Sequence, residues 1–515
     1  MPKTTVLTNA EIITMSGPGS MAGEIAFCKG RIEAVGKRVP GELRTHARII
    51  DMQGAVIVPA FIDSHLHWIG AGLLLIGLRL DDAENHDDLK STLLDSRKER
   101  GKGDWIVGMG AADNSMPEAR LPTREEIDAW IDDSPVVIVR ADGHGCVANS
   151  RALQELSLPS GINGLDAKSG YLVGDAQTEA IKRGQSVIAR RHLLTALRAI
   201  SAQALSNGVG TAVCMEGFGM PLEIDVHAVR LAGLLRRPRL KIFFQTLDVN
   251  KAVKHRCSRI GGCFEVSLDG SFSSHTAAMF KPFNDQRNNS GLLYHSDETI
   301  RSFIERAHLA GRQIAMHAIG DRAIEQALSA YEYVLSRHPA ADHRHRIEHA
   351  EIPLPEQIER MVKIGLHLAV QPAFLDMPTT PPSYMRHILG ARRYKGYLPL
   401  KSYVSAGADI SGGSDAPVSP INPLRGIHMA VNHPNESQAL SPYEALRIFT
   451  RGGARSVFEE RCRGTLEPGL DADLTVLDRN PLTAPKESID SIRVLSMYIG
   501  GKLAYSAPRS DTNTS

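Results

Sequence analysis

Short runs of alternating apolar and polar residues, separated by glycine-containing turns, fill both ends of the sequence. Runs of this kind are typical of β-strands joined by tight turns. The same pattern at both ends predicts that residues 1–58 and 460–515 together form one small β domain.

Between the two ends, short apolar runs alternate with long amphipathic segments, a pattern typical of βα units around a parallel sheet. We therefore expect an α/β protein in which residues 59–459 form a (β/α)₈ TIM-type barrel. The predicted strands are Val56–Asp63, Pro135–Arg140, Gly210–Glu216, Lys241–Leu247, Cys263–Leu268, Gln313–His317, His345–His349, His367–Gln371 and Asp409–Gly412. This set holds one strand more than the barrel requires, so one of them is either misassigned or accessory.

Two helix starts and two insertions complete the predicted architecture. Thr123 with Glu126, and Ser441 with Glu444, have the spacing of a capping box, which predicts helices beginning just after Thr123 and Ser441. The segments 70–133 and 373–398 are longer than a connection between strand and helix needs. We expect both to be insertions over the mouth of the barrel.

Charge and composition exclude several classes of protein. Lys+Arg number 59 and Asp+Glu 58, a net charge of +1, so binding to nucleic acid or to a membrane surface through bulk charge is not expected. The most apolar stretch, 68–78, is too short to cross a bilayer. The N-terminus lacks a signal-peptide pattern, and the six scattered cysteines form no C-x-x-C pair. We expect a cytoplasmic protein with reduced thiols.

Candidate metal ligands stand at the ends of four predicted strands. His65 and His67 are two residues apart, so on an extended strand both imidazoles face the same side and can bind one ion. His317, His349 and Asp415 end or follow three further strands. A barrel gathers its active site at the C-terminal ends of its strands, which predicts that these side chains meet there.

Segments along most of the chain resemble the amidohydrolase superfamily, in its amidohydrolase-3 branch, which contains enzymes similar to N-substituted formamide deformylase. The segments that carry the resemblance, in chain order, are VPAFIDSHLHW, PVVIVRADGHGCVANSRAL, SLDGSFSSHTAAMFKPFND, MHAIGDRAI, HRIEHAE, LAVQPAF, GGSDAPVSPINPL, SPYEALRIFTRGGA and GTLEPGLDADLTVLD. The resemblance implies a (β/α)₈ barrel with a β-sandwich built from both ends.

The resemblance also implies a ligand set with one departure. His65, His67, His317 and His349 would be metal ligands, and Asp415 a ligand that also transfers protons. In two-metal members of the branch, a carboxylated lysine four residues before a D-G-S motif bridges the ions. Here that position holds Glu265, because the motif begins at Asp269. A glutamate offers the same two oxygens, so Glu265 would bridge two ions or leave a single one; Glu216 and a carboxylated Lys281 are the weaker alternatives.

Further residues are assigned by their place along the chain. His144 ends the second predicted strand and is expected to contact the substrate or the oxyanion. Trp105 and Phe374, in the two insertions, are expected either to line an apolar substrate site or only to anchor the inserted loops. Arg346 and Glu348 alternate with the His349 ligand position, so we expect them to face the surrounding helices.

The ligand set predicts hydrolysis of an amide-like C–N bond, such as that of an N-formyl or N-acyl amine, by a metal-activated hydroxide with Asp415 as general base and acid. Zinc is the metal we expect, in one or two ions per chain; iron, manganese and cobalt stay open. The substrate would be a small molecule. A deaminase is disfavoured because Gly320 stands where related deaminases carry a glutamate. A cyclic amidase, an esterase, a non-catalytic scaffold and a homodimeric state also stay open.

Overall fold

A computed structural model describes residues 4–113, 116–141, 145–159, 161–218, 220–235 and 237–508. Its strands are β1 (Thr5–Thr8), β2 (Glu11–Ile13), β3 (Met21–Ala22), β4 (Glu24–Cys28), β5 (Arg31–Gly36), β6 (Arg48–Asp51), β7 (Val56–Pro59), β8 (Phe61–Leu66), β9 (Leu78–Arg79), β10 (Ile106–Ala111), β11 (Val136–Arg140), β12 (Cys146–Ala148), β13 (Leu165–Asp166), β14 (Tyr171–Leu172), β15 (Val209–Glu216), β16 (Arg239–Phe244), β17 (Arg259–Gly262), β18 (Gln313–Ala318), β19 (Arg346–His349), β20 (His367–Val370), β21 (Asp409–Gly412), β22 (Leu474–Leu477), β23 (Val494–Ile499) and β24 (Lys502–Ser506).

The α-helices are α1 (Gly41–Arg44), α2 (Trp68–Ile76), α3 (His86–Glu99), α4 (Arg124–Trp130), α5 (Ser150–Leu156), α6 (Gly174–Ser206), α7 (Ile224–Gly233), α8 (Val249–Lys254), α9 (Asp297–Leu309), α10 (Asp321–Arg337), α11 (Pro355–Lys363), α12 (Pro382–Tyr394), α13 (Leu400–Ser405), α14 (Pro423–Val431), α15 (Pro442–Arg447) and α16 (Gly453–Arg455). Short 3₁₀ segments cover Pro221–Glu223, Phe264–Val266, Pro372–Asp376, Glu436–Gln438 and Lys486–Ser491, and a π-helical turn, Ile448–Gly452, joins α15 to α16.

The centre of the molecule is a barrel of eight parallel strands, in the order β8, β15, β16, β17, β18, β19, β20 and β21. Backbone hydrogen bonds from Asp415 to the His65 carbonyl (2.7 Å) and from His67 to the Ala416 carbonyl (2.8 Å) join the segment after β21 to β8. Buried apolar residues from strands and helices pack around it in one large cluster. The α/β barrel expected from the sequence is confirmed.

An inserted sheet accounts for the surplus predicted strand. Residues 135–140 contribute β11, which pairs with β10 and β12 in a six-stranded sheet of order β13-β14-β12-β11-β10-β9 and not with any barrel strand. This corrects the assignment of Pro135–Arg140 to the barrel. The insertion thus reaches past residue 133, as far as β14. An apolar strand has the same pattern in either sheet, because both of its faces are buried in each.

The chain ends build two further sheets. One has the order β5-β4-β1-β6, and the other, β24-β23-β22-β7-β2-β3, combines strands from both ends of the chain. Their buried residues, among them Phe27, Ile57 and Leu474, form one cluster between the sheets. The two ends therefore share a core, as two packed sheets do.

Local signals in the sequence also fix where helices begin. Thr123 and Ser441 each accept a hydrogen bond from the backbone of Glu126 and Glu444, and each glutamate reaches back to the capping residue, so both predicted capping boxes are present. Among the described residues, no helix has both the length and the apolar character needed to cross a membrane.

Candidate metal centre

Six side chains converge at the C-terminal end of the barrel. Five of them were predicted from the sequence: His65 and His67 at the end of β8, His317 in β18, His349 at the end of β19, and Asp415 three residues after β21. The sixth is Cys263, which directly follows β17. Their potential ligand atoms form three groups in which all atoms lie within 4.8 Å of one another: His65, His67 and Cys263; Cys263, His317 and His349; and His65, His349 and Asp415.

The donor atoms point at one another. Asp415 Oδ1 lies 3.2 Å from both His65 Nε2 and His67 Nε2. The Cys263 sulfur lies 3.5 Å from His65 Nε2 and 3.7 Å from His349 Nε2. Apart from His67 and His317, which keep a small exposed fraction, these residues are almost fully buried. The convergence of so many ligating atoms in a buried space is the arrangement that a metal site requires.

Cys263, and not Glu265, completes the group. The Glu265 side chain is exposed, in the 3₁₀ turn after β17, and its backbone carbonyl accepts a hydrogen bond from His295 Nε2 at 3.0 Å. The prediction that Glu265 joins the ligand group is therefore corrected: the side chain that lies among the histidines is the thiol two residues earlier. The sequence carried one signal for it: Cys263 is a ligating residue at the end of a barrel strand, like the predicted histidines.

The other two alternatives for the bridging position lie elsewhere. Glu216 accepts the backbone N–H of Ile69 at 3.1 Å, in the first turn of α2. Its burial, with Asp225 nearby, raises its pKa to about 8. Lys281 is exposed. Glu216 thus satisfies a free helix N-terminus.

The backbone leaves β17 in an unusual conformation, which explains the orientation of Cys263. Gly261 and Gly262 have φ values of +99° and +122°, and Phe264 has φ of +56°. Left-handed backbone of this kind favours glycine. The strand predicted over Cys263–Leu268 is therefore wrong: β17 ends at Gly262, and the turn that follows directs the thiol inward.

The charges of the site are strongly coupled. Burial alone would raise the pKa of the Cys263 thiol, but His65, His317 and His349 lower it well below its ordinary value. Burial would lower the pKa of His65, yet Cys263 and Asp415 raise it well above the usual range. Asp415 likewise has a pKa held well below its ordinary value by the histidines, which outweigh its burial. The neighbouring histidines thus favour the ionised forms of both the thiol and the carboxyl.

Glu348 and Gln371 contact the Nδ1 atoms of His65 and His349, on the side of each ring away from the other donor atoms. Glu348 is fully buried and lies 2.5 Å from His65 Nδ1, while Arg346 holds the same carboxylate through two hydrogen bonds of 2.7 Å. Gln371 Oε1 lies 2.8 Å from His349 Nδ1. Partners of this kind fix the orientation and tautomer of a ligating imidazole.

The position of Glu348 corrects the expectation that Arg346 and Glu348 face the helices. Strict alternation along β19 would put Glu348 and His349 on opposite sides. His349 has φ of +72°, so the alternation breaks at this residue and both side chains reach the interior.

Two aspartates of the sequence segments that carry the family resemblance, Asp63 and Asp269, accept hydrogen bonds from backbone N–H groups and are not part of the three groups of potential metal ligands. Asp63 accepts the N–H of Ser414 at 3.0 Å, and burial raises its pKa to about 6. Asp269, of the D-G-S motif, accepts the N–H groups of Ala278 and Gly320 at 2.8 and 2.9 Å. They tie the loops after β17, β18 and β21 to the site.

The remaining predicted site residues have different surroundings. His144 lies outside the described residues. Trp105 packs against the core of the inserted sheet and donates its indole N–H to Glu155 at 2.9 Å. Phe374 is 7% exposed and parallel to the His349 ring at 6.2 Å. The structure thus brings Phe374 to the site and gives Trp105 a partner in the insertion.

The donor set fits a divalent cation. Asp415 Oδ1, His67 Nδ1 and His317 Nδ1 are buried, and none has a hydrogen-bonding partner of good geometry in the described part of the chain. Unpartnered buried polar atoms are costly, and a cation would satisfy the carboxylate among them. Thiolate, imidazole and carboxylate are the ligands typical of zinc sites in proteins.

Comparison with known proteins agrees with this architecture. The chain belongs to the amidohydrolase family, whose model matches residues 48–505. It is 29% identical to the Bacillus subtilis protein YtcJ over 487 residues, covering 88% of this chain and 90% of YtcJ. It is 24% identical to N-substituted formamide deformylase of Arthrobacter pascens over 538 residues, 97% of this chain and 98% of that enzyme.

A solved structure shares the fold over nearly the whole length. An uncharacterized metal-dependent hydrolase from Pyrococcus horikoshii superimposes with a TM-score of 0.77 at 26% identity, covering 94% of this chain and 99% of that one. The resemblance seen in the sequence is confirmed at the level of the family.

Proposed function

We propose that this protein hydrolyses a non-peptide C–N bond of a small-molecule amide, such as an N-formyl or N-acyl amine, at a divalent metal centre. The observation that carries the proposal is the convergence of Cys263, Asp415 and four histidines at the mouth of the barrel. The relative named as a formamide deformylase supports this class of bond.

The grouping of the donors favours two ions. One group contains His65, His67 and Cys263, and another contains Cys263, His317 and His349, so the two share the thiol alone. A thiolate can bridge two ions, as the carbamate does in two-metal relatives. We propose zinc, because a thiolate in the set disfavours the harder manganese and magnesium ions.

The chain's own residues divide the work of the reaction. A divalent ion held here would polarise the carbonyl and lower the pKa of a water toward about 7. Asp415 takes the proton of the attacking water and returns it to the departing nitrogen, because its carboxylate is ionised and lies beside His65 and His67. Glu348 and Gln371 keep two ligand rings oriented throughout.

The first test combines metal analysis with a substrate panel. Protein purified without chelator and loaded with zinc is offered N-formyl amines, N-acyl amines, cyclic amides, esters and aminopurines, and the released amine or ammonia is quantified. We expect amine release from an acyclic amide, and Asp415→Asn to lower kcat by about 10²- to 10⁴-fold. Faster cleavage of esters, or ammonia release only, would replace the proposal by one of the rival reactions.

A further inference from the structure

An exposed pair of aromatic rings borders the metal centre on the side of His67. Phe264 and Phe218 stack face to face, with ring centroids 3.9 Å apart and planes inclined by 6°. The Phe264 centroid lies 5.0 Å from that of His67. Phe264 directly follows Cys263, so one turn of backbone carries both a metal donor and this ring.

Packing alone does not account for Phe264. The residue is 42% exposed, although Cys263, its neighbour in the chain, is only 7% exposed. Its φ of +56° is a left-handed conformation that bulky residues rarely adopt. Strained residues of this kind concentrate at functional sites, and this ring also lies beside His67, which points to a ligand contact here.

We propose that Phe264 and Phe218, the aromatic shelf, bind an aromatic group of the substrate next to the bond that is cleaved. This inference rests on the proposed function and narrows its substrate class. Aromatic rings pair in offset or edge arrangements at centroid separations of about 4.5–7 Å. The Phe264 ring lies 5.0 Å from the His67 ring, which is within this range of separations. If the substrate carbonyl is held among the donor atoms, an aromatic ring one or two bonds from that carbonyl reaches the shelf.

Phe374, one of the two aromatic residues predicted from the sequence to contact the substrate, lies at a different position from this shelf. It is 7% exposed and parallel to His349, in the turn that follows β20. Its contact is with the ligand ring, so it supports His349. The shelf follows β15 and β17, which places the proposed aromatic subsite near the first four strands of the barrel.

Binding of hydroxamates tests the shelf without requiring turnover. Benzohydroxamate, cyclohexanecarbohydroxamate and acetohydroxamate share a metal-chelating head and differ in the attached group. Their affinities for the zinc-loaded protein are measured by calorimetry for the wild type, Phe264→Ala and Phe264→Leu. We expect the wild type to prefer benzo- over acetohydroxamate by about tenfold or more, which corresponds to about 1.4 kcal/mol.

The two substitutions separate aromatic stacking from apolar bulk. Phe264→Ala should reduce the benzo-to-aceto affinity ratio by about fivefold or more, and Phe264→Leu should lose the preference for the phenyl over the cyclohexyl ring. Phe458→Ala is the matched control: Phe458 is also at positive φ (+63°) and 43% exposed, but it packs on Arg344, at the opposite end of the barrel. It should leave the ratio unchanged.

The outcomes separate this inference from the proposed reaction. An unchanged affinity ratio in Phe264→Ala, with full metal content, would overturn the shelf even if amides are hydrolysed. If the ratio of benzo- to acetohydroxamate affinity falls as expected but the protein cleaves no C–N bond, the proposed aromatic subsite stays supported and the proposed reaction is rejected. Failure of the metal-loaded protein to bind any hydroxamate would reject both.

Discussion

At the scale of single residues, the thiol of Cys263 lies among the histidines at the place where the resemblance to the family predicted the carboxylate of Glu265. Cys263 is buried among the histidines, whereas Glu265 is exposed. A thiolate on a short side chain is softer than a glutamate and cannot be replaced by a residue of similar length without loss of ligand strength. The identity of the bound metal should therefore depend on position 263.

Removal of this thiol should change the metal content. We expect Cys263→Ala to lose at least one ion per chain, because each of two donor groups would lose a member, and Glu265→Ala to keep the full complement. Plasma mass spectrometry on both variants measures this. Cys214→Ala is the matched control, since Cys214 is also buried but lies among apolar side chains. Equal metal in Cys263→Ala and wild type would contradict the assignment.

The contact between Glu348 and His65 makes a second prediction at this scale. Glu348→Gln keeps the size of the side chain but weakens the bond to His65 Nδ1, so the metal affinity should fall by about 10- to 100-fold. Competition against a chromogenic chelator measures this affinity. Glu356→Gln, at an exposed position in α11, serves as the control. An unchanged affinity would show that Glu348 serves only to neutralise Arg346.

At the scale of elements, the end of β17 determines what the site contains. Two consecutive glycines at positive φ let the backbone turn there, and the same turn carries Cys263 into the barrel and Phe264 to the mouth. A Cβ on Gly261 would lie 2.0 Å from the Ala315 carbonyl oxygen of the neighbouring strand β18. No side chain fits in this space.

Gly261→Ala should therefore displace the end of β17 and lower the metal content together with the melting temperature. Gly407→Ala separates the clash from the backbone strain, because Gly407 also has positive φ (+81°) but has nothing within 4 Å of its Cβ position. The control should cost only about 1 kcal/mol of stability. If both variants kept full metal content, the turn would not be what positions Cys263.

At the scale of the whole molecule, buried histidines away from the metal centre make stability depend on pH. His345 Nδ1 accepts the N–H of Ile314 at 3.1 Å, and its Nε2 lies 2.8 Å from His308 Nδ1. Tyr331 stacks on the same ring, and His343 is close to it. Burial, with His343 and His308 nearby, holds the pKa of His345 well below its ordinary value.

The sign of the pH effect follows from this direction. The folded state favours neutral His345, so below an unfolded pKa of about 6.5 the unfolded chain binds more protons and stability falls as the pH falls. Chemical unfolding followed at several pH values between about 7 and 5 measures the slope, to which one histidine contributes up to about 1.4 kcal/mol per pH unit. We expect His345→Asn to flatten this slope and His46→Asn, at an exposed position, to leave it unchanged. Equal slopes in all three proteins would exclude His345 as a source of acid lability.

The sequence by itself determined the alternation of strands and helices, the helix starts at the capping boxes, and five of the six converging side chains. These depend on local signals: apolar periodicity, capping chemistry and ligating residues at strand ends. His65, His67, His317, His349 and Asp415 could be predicted because each ends or follows a strand of the same parallel barrel.

Only the tertiary structure decided the rest. It showed that β11 belongs to the inserted sheet, where it pairs with β10 and β12. An apolar run in the sequence indicates a buried strand but does not indicate which strands it pairs with. It also showed that Cys263, and not Glu265, lies among the donor atoms, and that Glu348 points to the interior of the barrel. Strand predictions depend on a two-residue alternation of side chains, and positive φ at Gly261, Gly262 and His349 breaks that alternation. Side-chain direction at a strand end is set by the backbone turn, and that turn is stabilised by contacts with neighbouring strands far away in sequence.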